Sequence, residues 1–259
     1  MRLFPWGNTL SSISVTLITF AFVFGGAALG MALRPFLPND HLSGDTKDVV
    51  KLGMGLVGTM AALVLGLLIA SAKGSFDTQS SELTDMSSRI VLLDRVLAHY
   101  GPEAKDARDA VRSSVEHAVE WASVKQAIDS REFGANNHGE VVYNKIQELS
   151  PKNDMQRSIQ VQALNLIMGL GQTRWLMAEQ RTNSISVSML VVLIFWLTII
   201  FISFGLYAPR NATVVVSLFV SAISVSGAIF LILEMYSPYE GLIHVSTAPL
   251  RAALGHLGQ

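Results

Sequence analysis

The stretch LGMGLVGTMAALVLGLLIASA, Leu52–Ala72, lies between Lys51 and Lys73 and carries no charge in 21 residues. An α-helix of about 20 apolar residues spans the bilayer core, so this stretch reads as a transmembrane helix. Gly58, Ala62, Gly66, Ala70 and Gly74 recur at every fourth position, with Gly55 and Thr59 beside them. Such a row winds along one side of a helix with almost no side chain. In lipid, helices associate through close van der Waals contact, and a row of small residues permits it. A lone anchor has no use for that surface. Two readings follow: a packing face for a multi-helix or oligomeric assembly, or a glycine-rich span packed within its own subunit. Gly53, Gly55 and Gly58 also spell G-x-G-x-x-G, with Asp77 beyond. A dinucleotide fingerprint needs a buried strand before it and a polar helix N-terminus after it. Asp48-Val49-Val50-Lys51-Leu52 is a poor buried strand, and the helix that follows is apolar all round, so the nucleotide reading is rejected.

The whole chain agrees with a membrane protein. Half of its 259 residues are hydrophobic and 15% are charged, against roughly 25% charged in soluble domains. The mean hydropathy is +0.41. A net charge of −1 gives no footprint for nucleic acid, and the absence of cysteine excludes disulfides, thiolate metal sites and a cysteine nucleophile. The charges are segregated: residues 73–181 hold 13 of the 19 Lys and Arg and 15 of the 20 Asp and Glu. The order is membrane, aqueous, membrane.

The first span is read at Leu10–Leu33, after the interfacial aromatics Phe4 and Trp6. It is longer than the apolar core of about 7–15 residues in a cleaved signal peptide. Pro35 and Pro38 end it, and residues 34–51 read as a solvated loop of mixed charge. Leu52–Ala72 is the second span. Ile185–Tyr207 is the third, Pro209-Arg210-Asn211 a tight turn, and Ala212–Leu233 the fourth, with Glu234 at its end as a membrane-edge acid. Within a span such an acid is a site candidate; at the boundary it is ordinarily paired or snorkelled. In the tail, Ser246 is placed to cap a short helix with Pro249 near its start.

Beyond Lys73 the period changes. Phe76, Leu83, Ile90 and Leu97 are spaced by seven, and Gln79, Met86, Leu93 and Tyr100 form the matching row. That pattern predicts a long packed helix, a coiled-coil-like continuation of the second span with a flaw at Gly74-Ser75. Gly101-Pro102 stops it. A second helix carries Ala107, Val111, Ser114, Ala118, Trp121, Lys125 and Ile128 at weaker heptad spacing. A loop over Asp129–Gly139 and a short helix over Glu140–Leu149 follow. The last helix of this region starts near Asn153 and shows Ile159, Ala163, Leu166, Leu170, Thr173 and Met177 at a/d spacing.

No cluster of residues carries enzyme chemistry. Glu116, His117 and Glu120 share a helix turn, but no second ligand group accompanies them, and a solvated face explains them better than a metal. His99 and His138 show no partner in the sequence. G-x-S-x-G, H-E-x-x-H and G-x-x-x-x-G-K-[ST] are absent. Asp94, Arg95 and Arg174 read as interhelix ion pairs that specify packing. Asn211 is given a role in the turn before the fourth span. The chain is therefore expected not to be an enzyme, with no cofactor and no metal.

Four blocks carry a family resemblance: FGLYAPRNATVVVSLFVSAISVSGAIFLILEMYSPYEGLI at Phe204–Ile243, STAPLRAAL at Ser246–Leu254, LDRVLAHYGPEA at Leu93–Ala104 and QTRW at Gln172–Trp175. They resemble the bestrophin-like domain family of bacteria and plants, over nearly the whole chain. In layout the chain is also similar to bestrophins: two spans, a helical cytosolic region, two more spans. Bestrophins are pentameric anion channels whose second span lines the pore with an apolar neck. The resemblance implies a pore helix at Leu52–Ala72, with Leu56, Val57, Met60, Leu63, Val64 and Leu67 as neck candidates. The acidic calcium clasp of animal bestrophins has no counterpart in this sequence.

The expected fold is all-α: a polytopic membrane protein with four transmembrane helices and a cytosolic helical bundle between the second and third. Its parts are a first hairpin over 1–72, the helical domain over 73–181, a second hairpin over 182–236 and a tail over 237–259. Four spans put both termini and the middle domain on one side, assigned to the cytoplasm of a bacterial inner membrane. The positive-inside count across the spans is close to a tie. The expected function is an oligomeric anion channel for chloride, a homo-pentamer if bestrophin-like, with the lipid bilayer as its surroundings. Gly55, Gly58, Ala62, Gly66, Ala70, Leu56, Met60, Leu63 and Leu67 are its pore or packing candidates, and Lys51 and Lys73 are its mouth charges. The alternative is a non-conducting scaffold or sensor whose helical domain binds a partner protein.

Overall fold

A computed structural model describes residues 11–38, 43–124, 138–180, 186–237 and 242–258, and no strand occurs among them. The α-helices are α1 (Ser12–Leu33), α2 (Gly44–Tyr100), α3 (Lys105–Val124), α4 (His138–Gln147), α5 (Asp154–Gln180), α6 (Val187–Tyr207), α7 (Ala212–Tyr236) and α8 (Ala248–His256). Four of these helices, α1, α2, α6 and α7, are long and apolar enough to cross a membrane. The chain divides into two compact units, with the divisions at Ser75/Phe76, Asn183/Ser184 and Tyr236/Ser237.

The first unit holds α1, α6, α7 and the first part of α2. Its tightest contact is between α1 and α6, and it is made of backbone. Gly30 faces the carbonyl of Ile202, and Gly205 faces the carbonyl of Ala27, so closely that a Cβ at either position would collide with main-chain atoms. At Gly26 a Cβ would stand 3.1 Å from the Thr198 carbonyl oxygen. Small residues let two helices touch in this way without water expulsion as a driving force. Phe20, Phe24 and Phe219 close the other side of α1, with ring centroids 5.4–5.7 Å apart. At one end two arginines tie the helices across their termini. Arg34 donates to the Ala208 carbonyl and Arg210 to the Met31 carbonyl. Both acceptors belong to last-turn or C-cap positions, where helix carbonyls have no partner of their own and cations are favoured. Asn211 caps α7, its Oδ1 accepting from the Val214 N–H at 2.9 Å.

The predicted loop over residues 34–51 is only half a loop. Ser43 caps α2 by accepting from the Thr46 N–H, and α2 begins at Gly44 with Asp45 in its first turn. A serine cap followed by an acid is a helix start, and it adds two turns before the apolar stretch. The expected flaw at Gly74-Ser75 is absent: α2 is helical through both residues. The short helix expected at Glu140–Leu149 runs instead from His138 to Gln147.

The second unit holds the rest of α2 with α3, α4, α5 and α8. Leu83, Ile90 and Leu97, together with Gln79, Met86, Leu93 and Tyr100, are all buried, and Phe76 packs at the edge of their cluster. These are the two heptad rows. Gly101 takes a φ of +119°, which a glycine adopts freely, and a 3-10 turn over Pro102–Ala104 leads into α3. Ala107 and Val111 of α3, and Ala163, Leu170 and Met177 of α5, enter the same core. The predicted positions Lys125 and Ile128, and most of the Asp129–Gly139 loop, lie outside the described residues. The tail is not separate from this core: α8 packs on α3 and buries Leu250 and Ala253. Ser246 Oγ accepts from the Ala248 N–H at 3.2 Å, with Pro249 in the first turn of α8.

Candidate functional site

Two places carry functional candidates, one in each unit. The first is the apolar part of α2. It is the least covered of the four spanning helices. Ala61, Leu68 and Ala72 are buried, and Val57, Gly58, Val64 and Leu65 are half-buried beside them. Leu56, Met60, Leu63 and Leu67 are exposed. With 100° of turn per residue, this leucine stripe lies about 120° around the helix from the buried one. The arc between them on the far side belongs to the small residues Gly55, Ala62, Gly66 and Ala70, all exposed. A Cβ added at Gly55, Gly66 or Gly74 would meet nothing within 4 Å, and one at Gly58 would only touch Ile200. Among the described residues α1 and α6 pack backbone on backbone at their glycines, whereas in α2 Gly58 faces Ile200 and Gly55, Gly66 and Gly74 face open space. Val57 and Val64 sit toward the covered side, apart from the other neck candidates.

The mouth charges differ. Lys51 is exposed and lies 3.4 Å from Asp48, so its field is partly offset at that end. Lys73 is exposed. Glu234, expected to be snorkelled or paired, is 4% exposed and buried near the end of α7. Close to it along the chain, Tyr236 and Ser71 share a hydroxyl hydrogen bond of 2.8 Å that joins α7 to α2.

The second place is in the α2–α5 core. Asp94 is 1% exposed and is held from three sides. Arg108 donates Nε and Nη2 to its two oxygens at 2.7 and 2.9 Å. The Gly258 N–H adds a bond at 3.3 Å. Burial pushes the Asp94 carboxyl up, but the Arg108 bonds, the Gly258 N–H and the charges of Arg108 and Arg95 outweigh it and leave the group below its ordinary value. Asp94 does form an interhelix ion pair, then, with Arg108 across the Gly101-Pro102 turn. Fork-to-fork geometry of this kind fixes the angle between two helices.

Beside this pair a cavity of about 340 Å³ opens between α2, α3, α4 and α5, with Leu250 of α8 contributing. Its body is apolar, from Met86, Ile90, Leu93, Val111, Val115 and Ile167. Its polar groups gather at the α3–α4 contact: Ser114, His117, His138, Glu120 and Arg174. Ser114 Oγ lies 2.8 Å from the Ala110 carbonyl and 3.3 Å from the His138 carbonyl. The His117 and His138 rings stack at 4.8 Å, nearly parallel. Arg174 is half-buried, and its Nη1 is so close to Gly139 that a Cβ there would stand 3.2 Å away. Burial lowers the Arg174 pKa from its ordinary value, yet a guanidinium stays charged at any pH a protein meets.

The sequence showed no partner for His138; the fold brings it into contact with His117. The sequence set Glu116, His117 and Glu120 together, but Glu116 accepts from Arg112 at 2.9 Å while His117 turns to His138. Among the described residues no group of three His, Asp or Glu converges on a metal-sized point. The glycines of α1 and α6 were visible in the sequence, but nothing in it tells which helix lies alongside.

No match is found for the chain among curated proteins or among solved structures. The pattern of the Bestrophin-like domain matches residues 21–250, which takes in α2, α6 and α7 entirely and more than half of α1. The chain is a membrane protein of the Bestrophin-like domain family.

Proposed function

We propose that this protein is an oligomeric ion channel, selective for anions, in which α2 lines the pore. The observation that carries the reading is the division of α2 into three arcs. One packs on its own subunit, one is a stripe of Leu56, Met60, Leu63 and Leu67, and one is the small-residue row. A helix that surrounds an axis with copies of itself needs those three surfaces: one for its subunit, one for the axis and one narrow flank for the neighbour. The leucine stripe would then form the constriction, and an apolar constriction gates by dewetting without a charged filter. Lys73 at one mouth and Lys51 at the other supply the positive charge that favours chloride. The family's likeness to pentameric bestrophins supports a pentamer. Both termini and the second unit are placed on the cytoplasmic side of a bacterial inner membrane.

The test is reconstitution in liposomes, with chloride flux measured against potassium flux and a Leu63→Trp variant, which adds bulk to the proposed constriction, alongside. Chloride flux that the variant abolishes while the oligomer keeps its size supports a pore built on α2. A folded oligomer that passes neither ion overturns the channel reading and leaves the scaffold, with the second unit as the partner-binding part.

A further inference from the structure

We propose that the cavity in the second unit is a binding site for a small organic anion with an apolar body, such as an aromatic or short-chain carboxylate. This site is independent of whether α2 conducts, since every group that forms it lies in α2–α5 and α8 beyond Ser75.

The volume fits a small molecule. About 340 Å³ is at the lower end of the roughly 300–1,000 Å³ that ligand pockets occupy. The chemistry is divided, as such pockets are: an apolar body and a few polar groups that fix orientation. Met86, Leu93, Val115 and Ile167 provide a surface with no hydrogen-bonding capacity, which excludes a sugar or nucleotide. Arg174 provides a permanent cation reaching the wall from α5, beside the first turn of α4. The N-terminal turn of a helix already carries positive partial charge, and a cation is ordinarily favoured at the opposite end. Gly139 is the residue that lets the guanidinium come so near. Two imidazoles stand at the same corner. The acids of the neighbourhood, Glu120 at the lip and Glu140 on the first turn of α4, are both exposed to solvent, whereas Arg174 is half-buried. Water screens these exposed acids more than the half-buried Arg174, whose charge is the one an anion inside the cavity would meet least screened. A carboxylate on Arg174, with its hydrocarbon against Met86 and Ile167, satisfies both halves.

The probe is 1-naphthoate, compared with neutral 1-naphthalenemethanol of nearly the same shape. Binding is measured by equilibrium dialysis with the full chain in lipid nanodiscs, and empty nanodiscs serve as the partitioning baseline. The expected result is saturable naphthoate binding at least about tenfold tighter than the alcohol. Arg174→Gln should cost the carboxylate about ten- to hundredfold and leave the alcohol nearly unchanged, the scale of one charge-assisted bond. If that variant loses its cooperative melt, Arg174→Lys serves, and it should keep the preference for the anion. Ala118→Phe, which fills the cavity from α3, should remove binding of both. Equal affinity for the two probes, naphthoate binding that survives Ala118→Phe, or no saturable binding above empty nanodiscs would each overturn the proposal. A conducting protein that binds no anion here separates this failure from failure of the channel reading.

Discussion

Two sets of glycines occupy the membrane unit and are put to opposite uses. Gly26, Gly30 and Gly205 sit where α1 and α6 touch backbone to backbone, and the space their missing side chains leave is filled by carbonyl groups. Gly55, Gly66 and Gly74 of α2 leave the same kind of space, and nothing among the described residues comes within 4 Å of a Cβ placed there. By spacing alone the α2 row is the more regular of the two. What distinguishes them is the covering element. The α1–α6 contact is a finished interface, and its glycines are there because bulk would push two helices apart. The α2 row has no such covering helix among the described residues. In lipid, a face with no side chains gains little from contact with acyl chains and gains most from another helix.

The first test sets these two groups against each other. Gly205→Ala puts a methyl group onto the Ala27 carbonyl, with backbone on both sides and no flexible side chain to yield. Overpacking of this kind costs about 1–3 kcal/mol or more. The variant should fail to accumulate as a monodisperse protein, or should melt far earlier in detergent. Gly66→Ala should leave the fold of the protomer intact, because the added methyl group meets nothing within 4 Å of it, and its cost should fall on the assembly instead. An equal loss of stability in the two variants would break the contrast on which the assembly argument stands.

The second prediction concerns the ion pair that orders the second unit. Asp94→Ala leaves Arg108 without its carboxylate and the Gly258 N–H without its acceptor. Removing one partner of a buried pair costs about 3–5 kcal/mol. The loss is read by thermal or denaturant unfolding followed by far-UV circular dichroism. The pH dependence has a definite sign. The folded Asp94 carboxyl titrates below its ordinary value, so its contribution is complete above the unfolded pKa of about 3.9 and disappears as pH falls through the folded pKa. Wild-type stability should therefore drop below about pH 4 more steeply than that of Asp94→Asn. Parallel acid limbs would show that the pair contributes nothing net.

How much of this was legible follows from what each signal depends on. The heptad rows from Phe76 to Tyr100 were readable because a seven-residue period fixes one face whatever packs on it. Gly101-Pro102, Asn211 and Ser246 were readable because caps and turns are local chemistry. The partner of Asp94 was not, since Arg108 becomes its neighbour only once the turn folds α3 back along α2. The stacking of His117 on His138 needs α4 to dock on α3, and no spacing encodes that. The cavity was invisible for the same reason: its walls come from five helices, and each apolar residue in it looks like ordinary core. The α2 start at Gly44 was missed because the mixed charges of residues 34–51 hid a serine cap.

A smaller effect tests the arginine ties between α1 and α6. Arg34→Ala or Arg210→Ala frees one helix-terminal carbonyl, Ala208 or Met31. Each should lower the melting stability by about 1–2 kcal/mol, between the net contribution of a neutral hydrogen bond and that of one to a charged group. The effects should add in the double variant, because the arginines serve different carbonyls. A double variant no worse than either single one would mean that the two arginines act as one unit.

The smallest effect concerns the two lysines that flank Leu52–Ala72, and it sharpens the comparison between the ends of α2. Lys51 has Asp48 at 3.4 Å, and both are well exposed, so Lys51→Glu should leave stability unchanged. Reversing one mouth charge about 10 Å from a permeating ion changes its energy by less than about 1 kcal/mol in water. The chloride-to-potassium permeability ratio, read from the reversal potential, should fall by about two- to fourfold or less for either Lys73→Glu or Lys51→Glu, and Asp48 at 3.4 Å offsets part of the Lys51 field. Both shifts should shrink in 1 M salt, where the Debye length is about 3 Å. An unchanged reversal potential in both variants would mean that neither lysine lies within reach of the conduction path, and that the selection of the ion is made elsewhere.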